Sequence, residues 1–150
     1  MVHASLTGSV LFAEIQENSD ITYRIYDFDR VESNGKKREL HIEEAAEVID
    51  FERKAVVINT DFNIGETRKT IIRKKYYSID KIKIEKAFED ISNESMIIYS
   101  ILDGAGDIIF KDENEKYQNL NIKKGESLLI PPHINIALNG SFEILRTIIE

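Results

Sequence analysis

Ile101-Leu-Asp-Gly-Ala-Gly-Asp-Ile-Ile109 places apolar residues on both sides of Asp103-Gly104, a turn signal, and pieces of the same design surround it. Apolar-rich runs of four to eight residues cover Ser95 to Leu102, Asp107 to Lys111, Lys116 to Ile122, Glu126 to Ile130, Asn135 to Leu138 and Phe142 to Ile149. Between them fall Asp103-Gly104, Asp112 to Asn114, Lys124-Gly125, Pro131-Pro132 and Asn139-Gly140. Glycine accepts positive φ and proline lacks a ladder donor, so these positions punctuate strands. Many short strands at this spacing predict an all-β sandwich or jelly roll.

Upstream, Tyr77 to Ile84 continues the pattern, with Ile79, Ile82 and Ile84 separated by polar and charged residues. The basic residues Arg68, Lys69, Arg73, Lys74, Lys75, Lys81, Lys83 and Lys86 lack interleaved aromatics beyond Tyr76 and Tyr77 and sit among acids. They read as a solvated strand face rather than a polyanion site. From Lys54 to Thr67 the pattern is irregular, with Val56-Val-Ile58 expected as a short strand and Asn59 to Gly65 as a loop. Residues 53–66 are therefore the expected linker between an N-terminal part, 1–52, and a C-terminal β-barrel, 67–150.

In the N-terminal part, Glu14-Ile-Gln-Glu-Asn-Ser-Asp-Ile-Thr-Tyr-Arg24 runs on through Ile25-Tyr-Asp-Phe-Asp-Arg30. Apolar and polar residues alternate around a polar turn at Glu17 to Asp20, which predicts a β-hairpin. Period 2 would put Glu14, Gln16 and Asn18 on one side of the first strand and Thr22, Arg24 and Tyr26 on one side of the second. A carboxylate, an amide and a guanidinium on one sheet face are costly unless water, a ligand or a metal meets them. Charged hairpin faces are usually just solvated, and from the pattern alone that reading stands beside the functional one. Asn34-Gly35 signals a further turn. After Arg38-Glu-Leu-His41, the apolar positions Ile42, Ala45, Ala46, Val48 and Ile49 predict a helix over Ile42 to Phe51, with Glu43, Glu44 and Glu47 opposite. His41 has no histidine near it in sequence and reads as a structural residue at the helix start.

Composition excludes several classes. At 150 residues the chain can bury about 70% of its unfolded surface, enough for one ordinary core. With 27 acidic against 20 basic residues the net charge is −7, which argues against nucleic-acid and anionic-membrane partners. Cysteine is absent, so disulfides and thiolate metal sites are excluded. The N-terminal apolar run is short and contains Glu14, and no run reaches the length of a membrane span, so a cytoplasmic protein is expected.

The Glu14 to Asp27 stretch, followed by Arg38-Glu-Leu-His41 and a short amphipathic helix, resembles the C-terminal part of the type I phosphomannose isomerases. These are zinc-dependent cupin enzymes that interconvert mannose 6-phosphate and fructose 6-phosphate. The likeness is dense from about His3 to Phe51, and Ile101 to Ile109 with Gly125-Glu-Ser-Leu-Leu-Ile-Pro-Pro-His133 resemble the two halves of a cupin barrel. The resemblance implies a cupin-type jelly roll carrying an N-terminal hairpin and one helix, with 1–52 a remnant of the catalytic cupin. It implies Arg24 as the cation near the substrate's reacting oxygens or phosphate, and Glu14 and Asp20 as polar site residues for proton handling or for orienting Arg24. Gln16 would be substrate-binding. Val2-His3-Ala4 matches the family's last zinc-ligating histidine, which makes His3 the metal ligand.

The resemblance also implies what is missing. Metal-binding cupins carry a His-x-His in the first half, whereas Glu94 to Ser100 holds no histidine. The second-half ligand position falls on Ile136, and His133 lies too close to Pro131 to replace it. A lone histidine cannot hold zinc, so the C-terminal barrel is expected to be metal-free and structural, and zinc is not expected to be retained tightly by this chain alone. The family's other zinc ligands belong to an upstream region. Three accounts stay open: a truncated isomerase, one half of a split enzyme that joins a separately encoded N-terminal half, or a stand-alone cupin module that binds a sugar phosphate or a protein partner. The apolar residues Leu11, Phe12, Ile15, Ile21 and Ile25 would leave a hairpin edge open, so packing on the barrel or pairing in a homo-oligomer is expected.

Overall fold

The computed structural model describes residues 12–16, 19–54 and 56–149. The chain divides into two compact units, with the boundary between Val57 and Ile58.

The second unit is built from seven antiparallel strands: β1 (Arg68–Arg73), β2 (Tyr77–Ile84), β3 (Ala87–Ile91), β4 (Met96–Lys111), β5 (Tyr117–Lys123), β6 (Ser127–Ile130) and β7 (Asn135–Ile149). β4 and β7 pair along nearly their whole length, from Met96 opposite Ile149 to Phe110 opposite Ile136. Each then serves two further partners in succession. β7 takes β3 along Asn135 to Asn139 and β2 along Phe142 to Ile149. β4 takes β6 along Ile97 to Ser100 and β5 along Ala105 to Lys111. The result is two sheets that share bent spine strands, β1-β2-β7-β4-β6 and β3-β7-β4-β5, which is jelly-roll architecture.

The bends fall where the sequence puts glycine. The β4–β7 register shifts between Ile101 and Asp103, and Gly104 takes a φ of +79°. Opposite, Gly140 sits at φ +138° and faces Gly106. A Cβ on Gly106 would collide with the Asn139 carbonyl and the Phe142 ring, so close strand approach demands glycine there. Asp103-Gly104 and Asn139-Gly140 are therefore bends inside long strands rather than the turns that local sequence suggests. A glycine needing φ > 0 looks the same in both settings, and only the ladder beyond it tells them apart.

Strand alternation fills the interior. Ile82 and Ile84 on β2, Ile97, Ile101 and Ile108 on β4, and Leu138 and Ile144 on β7 are each no more than 2% exposed. They form one apolar cluster. Basic β1 pairs only with β2, and Arg68 and Arg73 are exposed on it. β3, Ala87-Phe-Glu-Asp-Ile91, carries two acids in five residues and was not expected from sequence.

The first unit differs most from expectation. Residues 12–16 and 19–30 carry no strand, so the hairpin is absent among the described residues. An isolated two-stranded ribbon is marginal in water. Here the segment folds instead as a loop around a buried acid, detailed below. Val56, Val57 and Ile58 are likewise outside any strand. Helix α1 (Ile42–Val48) is shorter than expected, since Ile49 turns extended while its N–H still bonds the Ala45 carbonyl. Glu43 and Glu44 lie in its first turn, where the helix dipole favours them. Of its apolar stripe only Ala45 is buried; Ile42 and Val48 are exposed.

Candidate functional site

Two reversals in the first unit gather charged groups that are far apart in sequence. In the first, the Arg30 N–H donates to the Asp27 carbonyl at 3.0 Å while Phe28 and Asp29 both take positive φ, 54° and 55°. That is the signature of a type I′ turn, and each non-glycine residue held there costs about 1–2 kcal/mol. In the second, the Gly35 N–H donates to the Glu32 carbonyl at 2.9 Å, with Gly35 at φ +79°, and Asn34 Oδ1 accepts from the Lys36 N–H at 2.8 Å. One bridge, Val31 to Lys37, closes that arm. It returns Arg38 to Asp27.

Asp27, 6% exposed, becomes a hub. Arg38 grips its carboxylate with two donors, Nε to Oδ2 at 2.8 Å and Nη2 to Oδ1. Arg30 Nη2 lies 3.0 Å and Arg24 Nε 4.0 Å from the same Oδ1. The hydrogen bond from Arg38, reinforced by the charges of Arg30, Arg38 and Arg24, holds the Asp27 carboxyl below the usual carboxylate range against a smaller effect of burial. The same bond keeps the Arg38 guanidinium firmly protonated. Three guanidinia thus surround one carboxylate, and the excess positive charge suits a phosphate or a developing oxyanion.

Arg24 is further fixed. Its Nη1 donates to the Glu39 carbonyl at 2.9 Å, and its backbone N–H donates to His41 Nδ1 at 3.1 Å. The His41 N–H returns a bond to the Arg24 carbonyl at 2.8 Å. The Tyr23 ring lies 6.2 Å from the imidazole.

Of the residues singled out from sequence, Arg24 is half-buried inside this cluster, while Glu14 and Gln16 are exposed in the segment 12–16 and Asp20 is exposed in a bend. His3 lies outside the described residues. Asp27, Arg30, Arg38 and His41 were not singled out as site residues. The spacing Arg24-x-x-Asp27-x-x-Arg30 was their available signal, because a turn at Phe28-Asp29 turns that spacing into proximity. A strand reading instead points alternate residues to opposite faces.

The barrel interior offers different chemistry. Asp90 on β3 accepts from Arg146 Nη2 at 2.8 Å through Oδ1, and from Arg146 Nε and the Tyr99 hydroxyl through Oδ2. Burial, followed by the bond to Asp90, pushes the Tyr99 phenol far above its ordinary value. Asp80 on β2 accepts from Thr70 and Arg68, each at 2.7 Å. Ile136, the expected ligand position, is a core residue at 3% exposure, and the His133 N–H bonds the Asn93 carbonyl at 2.9 Å. Among the described residues no group of three or more His, Cys, Asp or Glu is placed to hold a metal. These residues therefore do not fit a zinc centre. A cleft of about 390 Å³ beside Phe62 is lined by Glu66, Lys83, Glu85 and Glu143, and its acids disfavour an anionic ligand. No helix among the described residues is long and apolar enough to cross a membrane.

YvyI of Bacillus subtilis (strain 168), a provisionally named mannose-6-phosphate isomerase, is 34% identical over 132 residues, covering 87% of this chain and 40% of that protein. Mannose-6-phosphate isomerase ManA of the same organism is 33% identical over 134 residues, again 87% of this chain and 40% of the relative. The crystal structure of a mannose 6-phosphate isomerase from Bacillus subtilis superposes with a TM-score of 0.65 at 30% identity, covering 86% of this chain and 40% of that one. The chain thus spans less than half the length of these relatives. Residues 67–149 match the family model of the mannose-6-phosphate isomerase cupin domain. With more than half of its residues inside that match, strands β1 to β7 included, the chain belongs to the mannose-6-phosphate isomerase cupin-domain family.

Proposed function

We propose that this chain serves the isomerisation of mannose 6-phosphate and fructose 6-phosphate by supplying the C-terminal part of such an isomerase, with Arg24 as its substrate-binding cation. The observation that carries the reading is the Asp27-centred group of three arginines, in which Arg24 lies half-buried with its Nε 4.0 Å from the shared carboxylate. Moving a proton between C1 and C2 of an open-chain sugar phosphate needs an acid/base group, worth about 10² to 10⁴ in rate. It also needs positive charge against the enediolate. Arg24 suits the second task, Glu14 and Asp20 suit the first, and Gln16 suits a sugar hydroxyl. Zinc is the family's expected cofactor, and the described residues do not by themselves fit it. Its ligands would come from His3 and from a separately encoded or upstream N-terminal half.

Titration of the chain with mannose 6-phosphate, followed by calorimetry, tests the reading. Saturable binding, absent with unphosphorylated mannose and lost in Arg24→Ala, is the expected result. Equal binding by the parent and Arg24→Ala overturns it. A second reading, a non-catalytic cupin module, is favoured by the apolar residue at the barrel's expected ligand position. It gains if sugar phosphate binds and no isomerisation follows on adding zinc and the N-terminal half. Sedimentation of the same samples reports whether the chain self-associates.

A further inference from the structure

We infer that His41 is a positioning residue for Arg24, acting through the backbone rather than through substrate; this rests on the role proposed above for Arg24. Residues 19–30 have no strand partner among the described residues, so ladder hydrogen bonds do not hold Arg24 in place. What ties its peptide down is a reciprocal pair across 17 positions, the Arg24 N–H to His41 Nδ1 at 3.1 Å and the His41 N–H to the Arg24 carbonyl at 2.8 Å. One residue thus satisfies both backbone groups of another, as a sheet neighbour would.

The side chain is held from the same strip of sequence. Arg24 Nη1 bonds the Glu39 carbonyl, two residues before His41, so the peptide and the guanidinium of Arg24 are both referenced to residues 39–41. His41 in turn opens α1, and the Ala45 N–H donates to its carbonyl at 3.0 Å, which anchors the strip to a regular element. To accept, Nδ1 must be unprotonated, with the proton of the neutral ring on Nε2. The identity of the residue matters for that reason. Asparagine puts its Oδ1 where histidine has Nδ1 and preserves the acceptor, whereas leucine fills the space without one.

The test uses the ¹⁵N-labelled full chain, mannose 6-phosphate as probe, and the variants His41→Asn, His41→Leu and Arg24→Ala. Two readouts are followed by NMR, namely exchange of the Arg24 amide and the dissociation constant for mannose 6-phosphate. In His41→Leu we expect exchange at Arg24 to rise and binding to weaken by about tenfold, the upper range for one lost part-buried hydrogen bond. His41→Asn stays within about threefold of the parent on both. If His41→Leu matches the parent, or His41→Asn is as impaired as His41→Leu, the positioning role is wrong. Should His41→Leu fail to fold, the comparison of His41→Asn with His41→Gln decides, since glutamine sets its oxygen one bond further out and is expected to bind as weakly as leucine. Binding lost in Arg24→Ala but unchanged in His41→Leu refutes this inference alone. Absence of binding by the parent refutes both it and the function on which it rests.

Discussion

Asp90→Ala removes the acceptor of three hydrogen bonds from the barrel interior, two from Arg146 and one from Tyr99. The side chains of Arg146 and Asp90 are 8% and 9% exposed, and Tyr99 is fully buried, so water cannot replace the lost partner without opening the sheet. Asp80, which also feels the charge of Arg146, is already engaged by Arg68 and Thr70. Breaking a buried pair from one side leaves an uncompensated charge and costs about 3–5 kcal/mol. Tyr99→Phe removes one donor and leaves the ion pair whole, which costs about 1 kcal/mol. Replacing all three groups, Asp90→Leu with Arg146→Met and Tyr99→Phe, removes the pair and its desolvation cost without orphaning the phenol, and is expected to fall within about 1 kcal/mol of the parent. Urea unfolding followed by circular dichroism measures all four proteins, with a constant m-value as the check on two-state behaviour. If Asp90→Ala costs no more than Tyr99→Phe, the charge was never dry and the argument fails.

Thr147 Oγ1 is buried with no hydrogen-bond partner among the described residues, so Thr147→Val is expected to stabilise by about 1 kcal/mol in the same urea assay. Gly106→Ala forces a Cβ into the Asn139 carbonyl and the Phe142 ring and is expected to cost about 3 kcal/mol. Gly125→Ala, where φ is +89° but a Cβ meets nothing within 4 Å, is expected to cost only about 1 kcal/mol; equal losses at the two sites would refute the steric account. At Asp80, burial favours the neutral acid, but the bonds from Thr70 and Arg68 and the charge of Arg68 more than offset it and lower the pKa below 3.8. A depressed folded pKa stabilises above the unfolded value, and that contribution is lost as pH falls through the folded one. Stability of the parent should therefore decline more steeply than that of Asp80→Asn below about pH 4, as thermal melts across that range would read.

The barrel was legible because short apolar runs broken by turn residues mark its strands, and its interior is dominated by isoleucine. Ile82 and Ile84, two apart on β2, are both buried, as that alternation implies. Gly104 and Gly140 misled, because positive φ marks a chain reversal and a strand bend equally well. β3 was hidden because Glu89 and Asp90 look like loop residues, and Asp90 is paid for by Arg146, 56 positions away. Arg24 was singled out by its strand pattern and by family resemblance, but its surroundings were not. The alternation in Glu14 to Tyr26 suggested a ladder, while Asp27 attracts three guanidinia strongly enough to set a different local geometry. The three-residue spacing of Arg24, Asp27 and Arg30 was readable, whereas Arg38, 11 positions from Asp27, leaves no local trace.

The long β4–β7 ladder also sets an order of events during folding. Its two ends differ in the length of chain that must close: Phe110 meets Ile136 across roughly half the span that separates Met96 from Ile149. Halving a loop lowers the entropic barrier to contact by about 0.6 kcal/mol, so this ladder is expected to close more often from the Phe110–Ile136 end, where Ile108 and Leu138 are fully buried, than from the other. By the same reasoning the Met96–Ile149 end of the ladder, on which Arg146 sits, is expected to close after it, so the Arg146–Asp90 pair would secure the barrel rather than start it.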